Sequence, residues 1–337
     1  MAGNAADPTL LRADPKTVFR SIVCNPVGCA GTVAPMARQY GFRIVNVFTR
    51  DGAVLSGNPL CVFEDARGLQ GKDMQALAQQ LNLSESTFIF PSTRVDATVR
   101  IYTPAFEMPF AGHPTLGTAH VLRALTGRSE LTLDMHAGDI NVVATGPQHW
   151  RLQTAGKLVA TAPVATIAQL ATMLQVPAQV LDPRACWINT GSEQLLLHVV
   201  SVEAVLRAAP LPALLAQHAT SALRTEPIVY VWAWADAAQT QVVARTFFMA
   251  HGAVIEDPAT GSACANLGGW LLHTGDAARA TGHAAGHGSG QRTPRHIVVR
   301  QGDGIGRPST LHLSIDEAGA IFVSGEVIEV ARGTFAL

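Results

Sequence analysis

An α+β fold follows from three features of this sequence. It has many short β-branched runs set apart by few turn residues, fewer helical stretches placed between groups of those runs, and one strand–turn–helix unit that occurs twice. Short connections favour antiparallel pairing, because a parallel pair needs a crossover of a dozen or more residues. The first strand is Arg43-Ile44-Val45-Asn46-Val47-Phe48, closed by the turn-forming Asp51-Gly52. Met74, Leu77, Ala78 and Leu81 keep the spacing of one buried helical face. Strands are expected at 97–103, 129–135, 139–144 and 149–153, and a second such helix at 167–174. Further strands are expected at 193–200, 227–235, 241–248, 296–300, 311–315 and 321–330.

The chain of 337 residues is 48% hydrophobic and 15% charged, enough apolar material for a large core and too much for disorder. Its 24 basic and 25 acidic residues leave a formal charge of -1, so no summed field draws it to nucleic acid or an anionic membrane. A small neutral or anionic molecule is the expected partner. The five cysteines, Cys24, Cys29, Cys61, Cys186 and Cys264, form no CxxC pair and no zinc-site spacing, which fits reduced thiols in a cytoplasmic protein. The longest apolar runs, such as 228–235, fall short of the roughly 20 residues a membrane span needs.

Residues 1–41 mix Pro, Gly, Ala and Asp without a sustained period and lack the pattern of a signal peptide. They are expected to be an N-terminal extension outside the fold, with Met36 a candidate start. The Gly- and Ser-rich stretch 281–295 carries two histidines, but no carboxylate or cysteine beside them completes a metal site. It reads as a solvated surface loop, and no metal is expected.

The repeat is the most informative feature. Arg100-Ile101-Tyr102-Thr103-Pro104-Ala105 leads to Pro109-Phe110-Ala111-Gly112-His113, and Arg245-Thr246-Phe247-Phe248-Met249-Ala250 leads to Pro258-Ala259-Thr260-Gly261-Ser262. After each glycine the sequence turns helical, ending at Gly127 in one unit and Gly275 in the other. His113 before Pro114 and Ser262 as an N-cap place both helix starts at the glycines. A helix start exposes unpaired N–H groups and the positive end of the dipole, and glycine lets a ligand approach the backbone. Singly, each unit is an ordinary helix start. Recurring in the same order, the two point to facing tips around a small carboxylate, with Gly112, Gly261 and Ser262 as the substrate-binding residues.

Three side chains can move protons. Glu85, in Leu83-Ser84-Glu85-Ser86-Thr87-Phe88, lies between the first amphipathic helix and an apolar strand, where a buried carboxyl would have a raised pKa. A solvent-facing glutamate fits the periodicity equally well. Asp257 stabilises the second tip in its simplest role, and His113 either exchanges protons or donates one hydrogen bond.

At these residues the sequence resembles the phenazine-biosynthesis (PhzF-like) isomerase family across 42–337. The shared stretches are Val45-Asn46-Val47-Phe48, Gly57-Asn58-Pro59, Leu83 to Phe88, Pro109 to Thr115, Glu256 to Ala263 and Gly306-Arg307-Pro308-Ser309. The resemblance implies the diaminopimelate epimerase-like fold, in which two pseudo-symmetric halves each wrap an antiparallel sheet around a central helix. The halves are expected at 42–155 and 156–337, with the last strand free to return to the first half. Epimerases of this fold carry a cysteine before the glycine at each tip. Here those places hold Ala111 and Thr260, which argues against a two-thiol racemase, and Cys264 reads as a small core residue. The resemblance further implies that Glu85 shuttles a proton within a dihydro-hydroxyanthranilate-like substrate, assisted by His113 and Asp257, without metal or organic cofactor and in a homodimer. Arg307 reads as structural. The alternatives are an epimerase of amino or hydroxy acids and a non-catalytic small-molecule binding protein.

Overall fold

The computed structural model of the protein describes residues 38–154, 156–250, 252–275 and 293–337. Residues 1–37 of the expected extension and 281–292 of the expected loop lie outside the described residues. The first strand, β1 (Gln39–Thr49), starts before Arg43 because its early residues pair with the end of the chain, from Gln39 opposite Ala336 onward.

One pairing scheme is used twice. Its first copy runs β1, β2 (Asn58–Phe63), α1 (Gly71–Leu81), β3 (Glu85–Phe90), β4 (Ala97–Tyr102), β5 (Glu107–Met108), α2 (Gly112–Thr126), β6 (Glu130–Met135), β7 (Gly138–Ala144) and β8 (His149–Gln153). Strand β9 (Val159–Thr161) and helix α3 (Ile167–Leu174) follow. The second copy opens with β10 (Cys186–Asn189), β11 (Glu193–His198), α4 (Val202–Arg207), α5 (Pro212–His218) and β12 (Ile228–Trp234). It continues through β13 (Gln241–Ala250), β14 (Ala253–Asp257), α6 (Gly261–Thr274), β15 (Arg295–Gln301), β16 (Ser309–Ile315) and β17 (Ile321–Ala336).

In the first copy β1–β2, β3–β4, β4–β5, β6–β7 and β7–β8 are antiparallel, while β2–β3 and β4–β6 are parallel. The second copy repeats this order of senses from β10 through β17. The parallel pairs depart from the antiparallel expectation. Each is bridged by helix, α1, α2, α4 with α5, or α6, which returns the chain to the same end of the sheet as a tight turn cannot. Strand β17 joins the copies, since it pairs with β16 at its start, with β8 over Phe322 to Glu326, and with β1 from Glu326 to Ala336.

Helices α2 and α6 are buried along most of their length, α2 exposing only its last three residues. Glycine inside each permits close packing. A Cβ on Gly117 would stand 2.6 Å from a Leu60 methyl and 3.0 Å from methyls of Val45 and Val47, and one on Gly269 would stand 2.9 Å from Ile188. The main core therefore holds Leu116, Val121, Trp150, Leu267 and Trp270 together. Two satellite cores lie under α1, where Phe63 stacks on Phe88, and under α3 to α5. Among the described residues no helix is long and apolar enough to cross a membrane.

Candidate active site

Each copy ends its β-hairpin in a helix tip, and an ion pair fixes the hairpin. Arg100 donates twice to Glu107, at 2.7 and 2.5 Å, and Arg245 twice to Glu256, at 3.1 and 2.6 Å. The paired glutamates lie in Glu107-Met108-Pro109 and Glu256-Asp257-Pro258, so the repeat is longer than its glycines show, and Asp257 has Met108 as its counterpart. The proline removes a donor and ends the strand, after which the helix begins at the glycine.

The two tips meet. A Cβ on Gly112 would lie 3.9 Å from Gly261 Cα and from Ser262 N, and one on Gly261 would lie 3.8 Å from His113 N. Free N–H groups of both helices thus converge on one place, where the dipoles favour an anion. The helix starts differ from expectation by a residue or two. The N-caps are Ala111 and Thr260, neither with a side-chain cap, so Ser262 is not an N-cap and Pro114 is not the first helical residue. Each glycine itself enters the helix, which places His113 and Ser262 inside the first turn.

Behind the first tip, Glu85 Oε2 lies 3.3 Å from His113 Nε2, with the two side chains 15% and 7% exposed. The alignment is short of a hydrogen bond, yet neither atom has another partner. Burial, then the negative charge of Asp257, pushes the Glu85 carboxyl up to about 8. Burial pushes the His113 imidazole down to about 3, although the Pro59 backbone hydrogen bond works the other way. At neutral pH the pair is therefore a protonated carboxyl facing a neutral imidazole whose other nitrogen is held by the backbone. Asp257 is raised to about 6 by burial, against hydrogen bonds from Thr260 and Asn58. Asn58 Nδ2 donates to Asp257 Oδ1 at 2.9 Å and to the Ala259 carbonyl at 3.0 Å, linking β2 to the second tip. Glu85, His113 and Asp257 are thus brought together, with Asn58 and Pro59 as supports that sequence reasoning left without a role. Their signal was Gly57-Asn58-Pro59 among the stretches shared with the resembled family.

Beside the tips lies a cleft of about 230 Å³ whose wall includes Gly112, Gly261, Ser262, Thr190, Ser192 and Phe48. Glu85, His113 and Asp257 are not in that wall, and no lysine, arginine or histidine is, among the described residues. Phe48 sits at a register shift of β1 with φ of 64°, a conformation that costs a bulky residue about 1–3 kcal/mol. Its ring fills the space that a side chain at Gly261 or Gly325 would need, with Cβ contacts of 3.1 and 2.4 Å. Arg307 stays out of the cleft and holds the turn before β2, donating to the Gly57 carbonyl at 3.0 Å and Asn46 Oδ1 at 2.9 Å. Cys264 is fully buried in α6, and burial pushes its thiol up. Among the described residues no cluster of metal-ligating side chains is present.

The profile of the phenazine biosynthesis-like protein family, PhzC-PhzF, matches residues 45–333. An uncharacterized isomerase of Pasteurella multocida is 35% identical over 88% of this chain and 94% of its own length. A trans-2,3-dihydro-3-hydroxyanthranilate isomerase of Pseudomonas aeruginosa is also 35% identical, over 88% of this chain and 99% of its own. In structure, a PhzF-family phenazine biosynthesis protein of Bacillus anthracis superposes with a TM-score of 0.73 at 19% identity, covering 89% of this chain and all of the other, a likeness of fold. With its paired tips, its twice-used sheet and these relatives, the chain belongs to the phenazine biosynthesis-like family and is an isomerase of the diaminopimelate epimerase-like fold.

Proposed function

We propose that this isomerase moves a proton between carbons of a small carboxylate-bearing ring compound, of the dihydro-hydroxyanthranilate kind, with Glu85 as acid and base. The observation that carries this reading is the buried Glu85–His113 pair, whose carboxyl is held near 8 and so exchanges its proton near neutral pH. As a carboxylate, Glu85, which stands behind the first tip and outside the wall of the cleft, takes a proton from the ring carbon brought against that tip, and as the acid, after exchange with solvent, it delivers one to another. His113, neutral and anchored at Pro59, faces the carboxyl at 3.3 Å. Asp257 supplies the charge that, after burial, keeps the carboxyl protonated at rest. The backbone N–H groups at Gly112, Gly261 and Ser262 hold the substrate carboxylate and the charge that develops as the proton leaves. Moving one proton leaves the oxidation state unchanged, so the step calls for no redox group. The relative from Pseudomonas aeruginosa supports trans-2,3-dihydro-3-hydroxyanthranilate as the first compound to try.

The test is turnover of that compound and a panel of related ring acids by the wild type and by Glu85→Gln. The wild type is expected to isomerise it, and Glu85→Gln to lose about 10²–10⁴-fold in kcat. Full activity in Glu85→Gln would refute the assignment, and inversion of a chiral acid by the wild type would move it to the epimerases.

A further inference from the structure

A cleft whose wall, among the described residues, holds no cationic side chain binds an anion through neutral donors, which makes the direction of each hydroxyl in that wall matter. A chain of hydrogen bonds through Asn266 and Gln194 fixes that direction at Ser262. The Thr190 backbone N–H donates to Asn266 Oδ1 at 2.9 Å, and Asn266 Nδ2 donates to the carbonyls of Ile188 and Ser192, both at 2.8 Å. A backbone N–H can only donate and a carbonyl can only accept, so these contacts allow one orientation of the Asn266 amide. Its Nδ2, whose two hydrogens are shared among the two carbonyls and Gln194 Oε1, faces that oxygen rather than another amino group, so Gln194 turns its own amino group the other way. Gln194 Nε2 then donates to Ser262 Oγ at 2.9 Å and to Ser192 Oγ at 3.2 Å. Arg224 adds a donor to Ser192 Oγ at 3.1 Å. Gln194 and Asn266 are 1% and 0% exposed, so water does not compete for their amides.

We infer that Gln194 and Asn266 are positioning residues that set the polarity of the cleft, turning the hydroxyls of Ser262 and Ser192 into donors aimed at the bound anion. Each serine oxygen accepts from Gln194, and among the described residues neither hydroxyl has a protein acceptor for its hydrogen. Both serines line the cleft, which leaves that hydrogen free to be donated into it. The opposite Gln194 orientation would draw both hydrogens onto Oε1 and leave the cleft two acceptors, which an anion avoids. Serine donors and helix N–H groups together take the place of a guanidinium. The consequence for substrate binding rests on the reading above that the cleft holds a carboxylate.

Neutron diffraction from hydrogen–deuterium-exchanged crystals of the wild type tests the polarity without a ligand. Deuterium on Ser262 Oγ directed into the cleft is expected, and deuterium directed at Gln194 overturns the inference. A double-mutant cycle with trans-2,3-dihydro-3-hydroxyanthranilate tests the consequence. Ser262→Ala and Gln194→Leu are each expected to raise KM about tenfold, the scale of a hydrogen bond to a charged group, with a smaller change in kcat. The double variant should fall well short of the product of the two. Gln194→Glu, which can only accept, should be worse than Gln194→Leu. Multiplicative effects, or Gln194→Glu equal to wild type, overturn the positioning role. Failure of the wild type to turn over the compound counts instead against the proposed function, and the neutron result then decides the polarity alone.

Discussion

Replacing Glu85 by glutamine should remove activity and make the protein more stable, by an amount that depends on pH. Raising a carboxyl from its ordinary 4.5 to about 8 corresponds, at 1.36 kcal/mol per pH unit, to about 5 kcal/mol against the folded state once both states are ionised. The folded-state pKa is the higher one, so the penalty is absent below pH 4.5, grows as pH rises, and levels off beyond 8. At pH 7 it amounts to about 3 kcal/mol. Glutamine has the same shape, and its amide faces His113 Nε2 as the carboxyl does without taking up a charge. Guanidinium denaturation of wild type and Glu85→Gln, followed by tryptophan fluorescence from pH 4.5 to 8.5, measures the difference. The variant should be more stable by about 3 kcal/mol at pH 7, and the two should converge at pH 4.5. Equal stability at pH 8, or a variant weaker by the same amount at every pH, would refute the burial argument.

Asp257→Asn removes the neighbouring negative charge that helps raise Glu85, so a carbon-13 NMR titration of the Glu85 carboxyl should show its midpoint move to lower pH. An unmoved midpoint would exclude the coupling. Arg245→Met leaves Glu256, 6% exposed, buried without its partner and should destabilise by about 3–5 kcal/mol. Arg100→Met should cost clearly less, because Glu107 is 21% exposed, and thermal melts of the two variants check the order. Gly117→Ala forces a Cβ to within 2.6 Å of Leu60 and should lower stability by about 1–3 kcal/mol, read from the same denaturation.

The strand-rich half of this architecture was legible because alternating apolar residues leave a period of two wherever one face of a strand is buried. Thr310 to Ile315 shows it in both sequence and burial. The elements that escaped notice lack that signal. Strand β5 has two residues, and α4 and α5 have six and seven, too few for a period to register. Parallel pairing was not visible either, since it depends on which strands the helices return to. The meeting of the two tips was anticipated from Gly112 and Gly261, but each helix start was misplaced slightly. Thr260 and Ala111 cap in extended conformation without a side-chain bond, and Ser262 is engaged by Gln194, a partner 68 positions away. The Glu85–His113 contact joins residues on β3 and α2, and nothing local in either stretch could decide between a buried carboxyl and one facing water. The Arg100 and Arg245 repeat is visible in the sequence, and the Glu-x-Pro spacing repeats with it, but only the fold shows that each arginine pairs with that glutamate.

Proton NMR of trans-2,3-dihydro-3-hydroxyanthranilate in D2O, with wild type and Glu85→Gln compared at pH 8, bears most directly on the role of Glu85. Deuterium entering the ring skeleton with the wild type, at the carbon where the proton is returned, and none with Glu85→Gln is the predicted result. Deuterium incorporation at equal rates with both proteins would contradict it.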